Sequence, residues 1–165
     1  MRAATITVSS SRATGGGAPD ESGPRLEAVI ERLGGDLAGS EVIPDDRETI
    51  AGRLRHWVDE VGCDLVLTSG GTGLAPTDIT PEATREVIDR EAPGIAEALR
   101  AASQPHTDKW MLSRGVAGTR GRALIVNFPG SPRSIDQTAP QIESALAHAL
   151  HLLAGEAANQ SHSLS

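Results

Sequence analysis

Apolar positions along the chain alternate between short continuous runs and helical stripes, which is the pattern of an α/β protein. Thr5 to Val8 reads as an opening strand, Glu41 to Pro44 as the close of a second, weaker one, and Leu65-Val66-Leu67 as a strand buried on both faces. Leu26, Val29, Ile30 and Leu33 share one helical face that Gly34-Gly35 stops. Ile50, Leu54, Trp57, Val58 and Val61 form the stripe of a second helix, which Gly62 ends. Thr80-Pro81-Glu82 supplies an N-cap, a helix-start proline and a first-turn acid, so helices are expected over roughly 81–90 and, from Pro93, over 93–102. Residues 103–114 read as irregular, with Trp110, Met111 and Leu112 packing inward. A hairpin ends in the apolar strand Ala123 to Phe128, and a last helix runs from about Arg133 to Leu153, with Pro140 expected to kink or divide it. Ser9 to Ser22 is a long Ser/Gly/Pro-rich loop, closed by Ser22 as the cap of the first helix. Residues 1–154 are expected to form one domain and residues 155–165 a disordered tail.

The charge balance narrows the function. A net charge of −7 argues against a broad basic face for nucleic acid. The scarcity of aromatics (Trp57, Trp110, Phe128, no tyrosine) argues against base-stacking platforms. Cys63 is the sole cysteine, so a disulfide framework and a thiolate metal cluster are excluded, and a packed thiol is the expectation. No apolar run approaches membrane-spanning length and no signal peptide is evident, so a cytoplasmic protein without a membrane partner is expected.

The stretch around Ser69-Gly70-Gly71-Thr72-Gly73 carries the candidate chemistry. It follows a buried strand and precedes a helix, and its glycines let an anion approach main-chain amides. Ligands in open α/β sheets sit at such strand ends. Neither the dinucleotide fingerprint nor the Walker pattern is present, and no Gly-Lys-Ser/Thr follows, so a P-loop NTPase is not indicated. Two carboxylates, Asp45 and Asp78, can reach this loop, as Mg²⁺-dependent phosphoryl or nucleotidyl transfer requires. Each also has a purely local reading: Asp45-Asp46-Arg47-Glu48 makes a helix cap, and Asp78 an Asx turn before Thr80. Pro129-Gly130-Ser131-Pro132 with Arg133 reads equally as a second small anion site or as a rigid turn. Ser113-Arg114 lines the same cleft or forms a surface turn. The scattered histidines give no zinc spacing, no Gly-x-Ser-x-Gly elbow occurs, and the acids at Asp59-Glu60 and Asp89-Arg90-Glu91 read as solvated helix faces.

The block Thr68-Ser-Gly-Gly-Thr-Gly-Leu-Ala-Pro-Thr-Asp-Ile-Thr-Pro-Glu-Ala-Thr84, followed by Asp89-Arg-Glu-Ala-Pro-Gly94, resembles the molybdenum-cofactor biosynthesis family of the MogA/MoaB type, which includes the G domains of gephyrin and its plant counterpart. Ile43-Pro44-Asp45, Asp20-Glu-Ser-Gly-Pro24, Leu112-Ser-Arg-Gly115 and Asn127-Phe-Pro-Gly-Ser-Pro-Arg133 match in the family's order. The resemblance implies a three-layer α/β/α sandwich with a mostly parallel sheet, usually a homotrimer, that binds molybdopterin. In its adenylyltransferase branch, AMP moves from Mg·ATP to the terminal phosphate of molybdopterin and pyrophosphate leaves. The family's essential aspartates match Asp45 and Asp78, which turns the balance toward a catalytic, Mg²⁺-holding role for either or both. Ser69, Gly70, Gly71, Thr72 and Gly73 match the nucleotide and pterin-phosphate site, and Ser113, Pro129, Gly130 and Ser131 line the same cleft. The sequence departs from the family at Ser9-Ser10-Ser11, where an acid is common, at Thr77, where arginine is common, and at Arg133, where lysine is common. Ser10 and Thr77 keep a second reading open: a paralogue that holds the pterin, or bridges partners, without turnover.

Overall fold

The computed structural model describes residues 1–155, so the expected disordered tail lies outside the described residues except for Gly155, whose left-handed backbone (φ 80) ends the last helix. One six-stranded sheet runs in the order β2-β1-β3-β6-β5-β4. Its strands are β1 (Arg2–Val8), β2 (Asp36–Ile43), β3 (Leu65–Ser69), β4 (Arg90–Glu91), β5 (Ala117–Arg120) and β6 (Ala123–Phe128). β2, β1, β3 and β6 are parallel, and the β5–β6 hairpin adds an antiparallel margin that the short β4 completes. The expected mostly parallel α/β sheet is therefore present.

Side-chain alternation divides each strand between two apolar layers. Leu65, Leu67, Leu124, Val126 and Phe128 pack with Leu26, Val29 and Ile30 of α2 (Ser22–Arg32), Leu99 of α5 (Pro93–Ser103), and Ile135, Ile142 and Leu146 of α6 (Pro132–Ala154). Ala4, Ile6, Val66 and Ile125 pack on the other face with Ile50 and Leu54 of α3 (Arg47–Arg55) and Ala83 and Val87 of α4 (Thr80–Val87). Three layers result. Cys63 lies in the second layer at 3% exposure, where burial pushes its thiol pKa up, in keeping with a packing role. Among the described residues no helix is long and apolar enough to cross a membrane.

Several local expectations are revised. The loop after β1 opens with a one-turn helix, α1 (Ser10–Ala13). Ser22 does not cap α2; the Asp20 carboxylate does, accepting from the amides of Ser22 at 3.0 Å and Gly23 at 3.2 Å and from the Thr7 hydroxyl at 3.0 Å. Asp46, not Asp45, caps α3 through the Thr49 amide and hydroxyl, at 2.9 and 2.7 Å, and those bonds hold its carboxyl below the usual range. After α3 the chain continues in a π-helical turn, His56–Glu60. Thr80 is the first residue of α4 rather than its cap, and its hydroxyl is used elsewhere. α4 ends at Val87, because Arg90-Glu91 pair with β5 as a strand.

Met111 and Leu112 are not packed inward: they are 62% and 46% exposed on a 3₁₀ turn, Trp110–Leu112, outside both layers, whose sheet faces the helices already cover. α6 passes undivided through Pro140, which is exposed, while Ile142 and Leu146 beyond it are buried and hold the helix to the sheet. Asp59 and Asp89 do not face solvent idly. Asp59 accepts from Arg120, and Asp89 accepts from the Gly121 amide at 2.6 Å, so both clamp the β5–β6 turn.

Candidate active site

The chain winds from β1 outward to β2 and then returns to place β3 on β1's other side, so the sheet's switch point lies between β1 and β3. Open α/β sheets have their ligand crevice at that point, outside the carboxyl ends of the strands. Three segments leave the sheet on this rim: Ser9 to α1 after β1, Pro44 to Asp46 after β2, and Gly70 to Gly73 after β3. A fourth, Pro129 to Ser131, leaves β6 beside them.

The glycine turn is built by close approach. Gly70 (φ 97) and Gly71 (φ 65) have positive φ, and a methyl at Gly70 would strike the Val8 carbonyl oxygen. A methyl at Gly71 would strike Thr80 Oγ1, which donates to the Gly70 carbonyl at 2.9 Å while the Thr80 amide donates to the Gly71 carbonyl at 3.1 Å. Gly130 lies against Gly70, with a hypothetical Cβ 3.3 Å from its Cα, and Ser69 Oγ donates to the Pro129 carbonyl at 2.9 Å. The two turns therefore form one unit. Ser69 is committed to it structurally. Among the described residues the amides of Gly71, Thr72, Gly73, Gly130 and Ser131 donate to no protein group. Such orphan donors receive anions.

Both aspartates come to this unit. Asp45 Oδ1 would lie 3.3 Å from a Cβ at Gly71, and Asp78 Oδ2 would lie 2.7 Å from a Cβ at Gly73. Asp45 is oriented by Ser10, whose amide and hydroxyl each donate to Oδ2 at 2.9 Å, while the Asp45 amide donates back to Ser10 Oγ at 2.9 Å. Ser10, marked in the sequence only as a missing acid, is thus a partner of the site. Asp78 Oδ2 accepts from the Ala75 amide at 3.0 Å, so its local turn reading and its placement beside the glycines hold together. Oδ1 of each aspartate accepts no hydrogen bond among the described residues.

Those donors fit a hard divalent cation that takes one or two carboxylates and completes its shell with water and substrate phosphates. No group of three or more acids, histidines or cysteines that could cage a metal exists among the described residues. Thr72 is 5% exposed, and Ser113 is half-buried directly before Arg114, the residue whose amide donates to the Thr72 carbonyl at 2.8 Å. Gly130 and Ser131 are exposed, as is Arg133, the second residue of α6.

Sequence reasoning left Arg114 undecided and passed over the floor of the site. Arg114 binds the carbonyls of Gly73 and Asp78. Asn127, 2% exposed, donates to Thr68 Oγ1 and Thr84 Oγ1, each at 3.0 Å, and accepts from the Val116 amide at 3.1 Å. A carboxamide inside an apolar strand was the available signal, since such a group must be fully partnered.

The geometry is that of an open α/β protein with two glycine turns and two carboxylates gathered at its switch point. The family model described as "Probable molybdopterin binding domain" matches residues 4–148, and the chain belongs to that family. The molybdopterin adenylyltransferase of Helicobacter pylori (strain J99) is 39% identical over 152 residues, 91% of this chain and 86% of that one. The enzyme of the same name from Haemophilus influenzae is 44% identical over 131 residues, 78% of this chain. The chain spans 66% of the Haemophilus protein and 22% of a longer relative, molybdenum cofactor synthesis protein cinnamon of Drosophila melanogaster, to which it is 38% identical. Among solved structures, the molybdopterin biosynthesis enzyme MoaB of Thermus thermophilus superposes with a TM-score of 0.85 at 44% identity, covering 93% of this chain and 96% of that one.

Proposed function

We propose that the chain is a molybdopterin adenylyltransferase of molybdenum cofactor biosynthesis. It transfers AMP from ATP to the terminal phosphate of molybdopterin and releases pyrophosphate. A phosphate oxygen of molybdopterin bonds to the α-phosphorus of ATP as the bond from that phosphorus to the bridging oxygen breaks. The nucleophile is already anionic at neutral pH, so no general base is needed. The chain's task is to bring two polyanions together and to offset charge on the α-phosphorus and the departing pyrophosphate.

The amides of Gly71 to Gly73 and of the Gly130-Ser131 turn suit the phosphates, because they are fixed donors without protein partners among the described residues. Asp45 and Asp78 would hold Mg²⁺ through their uncommitted oxygens, and the ion would neutralise phosphate charge. The observation that carries the reading is the placement of both carboxylates against glycines two residues apart on one turn. It favours the enzyme over a paralogue that only holds the pterin.

A homotrimer, as the family resemblance implies, and a cytoplasmic location complete the reading, and light scattering of the purified protein tests the trimer. Incubation with molybdopterin, Mg²⁺ and ATP tests the chemistry. Adenylylated molybdopterin with matching pyrophosphate is the expected product. Saturable pterin binding without pyrophosphate release would leave the binding-only reading in its place.

A further inference from the structure

We propose that Arg114 is a positioning residue that ties the glycine turn to the Asp78 segment and so sets where the Asp78 carboxylate stands. An arginine beside an anion site is ordinarily read as a ligand of the anion. Here the side chain is turned to the protein. Nε donates to the Gly73 carbonyl at 2.7 Å, Nη2 donates to the Asp78 carbonyl at 2.6 Å, and Nη1 pairs with Glu82 Oε1. The Arg114 amide adds a fourth link, to the Thr72 carbonyl at 2.8 Å. One residue thus reaches both ends of the excursion from Gly73 to Asp78, whose tip, Leu74 to Thr77, is exposed.

The excursion has little else to hold it. Within it, the Ala75 amide meets Asp78 Oδ2 and the Asp78 amide meets the Ala75 carbonyl, but these bonds tie the segment to itself. Thr80 anchors the turn only at Gly70 and Gly71. Gly73 and Asp78 are meanwhile in near contact, with a Cβ at Gly73 placed 2.7 Å from Asp78 Oδ2, so a shift of either moves the carboxylate relative to the free amides.

Glu82 holds the clamp in place. It lies in the first turn of α4, where a negative charge is favoured. Its Oε2 is buried without a partner among the described residues, and the Arg114 guanidinium keeps its carboxyl below the usual range. A lysine at 114 would bring the charge but not the planar fork that serves two carbonyls and a carboxylate together.

The test uses the whole chain with Arg114→Lys, Arg114→Ala and Glu82→Gln, and its kinetic arm rests on the adenylyltransferase reading. In both arginine variants, amide hydrogen exchange over residues 71–79 is expected to quicken about tenfold or more while β3 and β6 keep the parent rates. Turnover is expected to fall about tenfold to a hundredfold with KM for ATP and molybdopterin within about twofold of the parent, as misplacement of a reacting group demands. Glu82→Gln should quicken exchange in the same segment by less. Unchanged exchange over 71–79 would overturn the proposal, as would a raised KM for ATP at parental kcat, which marks a phosphate ligand. Parental turnover in Arg114→Lys, or loss of protection spread equally over β3 and β6, would overturn it too. A parent protein that makes no adenylylated product removes the enzymatic reading, and the exchange result then decides the role of Arg114 alone.

Discussion

At the amino-terminal rim of the parallel strands, Arg120 places three bonds on Asp59, at 2.9, 3.1 and 2.7 Å, and a fourth on the Val87 carbonyl at 2.9 Å. Beside it Asp64 accepts from the Arg2 amide at 2.8 Å, Asp89 accepts from the Gly121 amide, and Arg122 closes onto the carbonyls of Leu153 and Ala154. The carboxyl-terminal rim uses the same parts, acids, arginines and glycine turns. There, however, Asp45 and Asp78 each keep an oxygen without a hydrogen bond, and five amides in two turns have no protein acceptor among the described residues. Under the adenylyltransferase reading proposed above, these donors and carboxylate oxygens are the groups that meet the phosphates and the cation. One rim holds the fold shut. The other carries the groups on which the proposed chemistry rests.

The sharpest way to break this contrast is Asp78→Asn. Turnover is expected to fall about a hundredfold or more with molybdopterin binding kept, the scale of losing one electrostatic contact to a reacting phosphate. Adenylylation at the parent rate would place Asp78 outside the chemistry. Gly71→Ala attacks the carboxyl-terminal rim through its backbone. A methyl there meets Thr80 Oγ1 at positive φ, and a loss of about 1–3 kcal/mol in urea unfolding is expected together with reduced activity.

Asp59→Asn at the opposite rim should behave the other way. Its carboxylate is 45% exposed, so screening limits the loss to about 1 kcal/mol or less, and kcat should stay at the parent value. A fall in kcat would show that the two rims are coupled.

The smallest effect is in acid. Arg114 holds the Glu82 carboxyl below its ordinary value of 4.5, so its contribution is complete above that pH and is lost as pH falls through the folded-state pKa. Melting temperature should therefore decline less steeply below about pH 4.5 in Glu82→Gln than in the parent. Parallel acid limbs would remove Glu82 from the clamp.

Much of this was readable from residue order. Continuous apolar runs at Leu65-Val66-Leu67 and Ala123 to Val126 marked the central strands, since burial on both faces leaves no polar alternation to confuse them. The glycine turn was visible because turn chemistry is written locally, whereas Asp45 and Asp78 read from residue order as cap and turn acids, and only the family resemblance turned the balance toward the site. Capping assignments failed by one or two residues at Ser22 and Thr80, where a neighbouring or distant group took the orphan donors or the hydroxyl. Leu112 and Met111 misled because apolar character alone cannot say whether a sheet face is still vacant. Arg114 and Ser10 were illegible as partners for a deeper reason. Their bonds join segments 41 and 35 residues apart in sequence, and only the closed fold brings them together.

Asn127 has a consequence for how the molecule assembles. Its carboxamide meets acceptors on β3 and α4 and a donor in the segment leading into β5, all inside hydrocarbon. If the hairpin docked one position out of step, that amide would be stranded in oil and three hydrogen bonds would vanish together. The chain thus carries its own alignment key, one that sets the aligned hairpin apart in energy from its slipped alternatives.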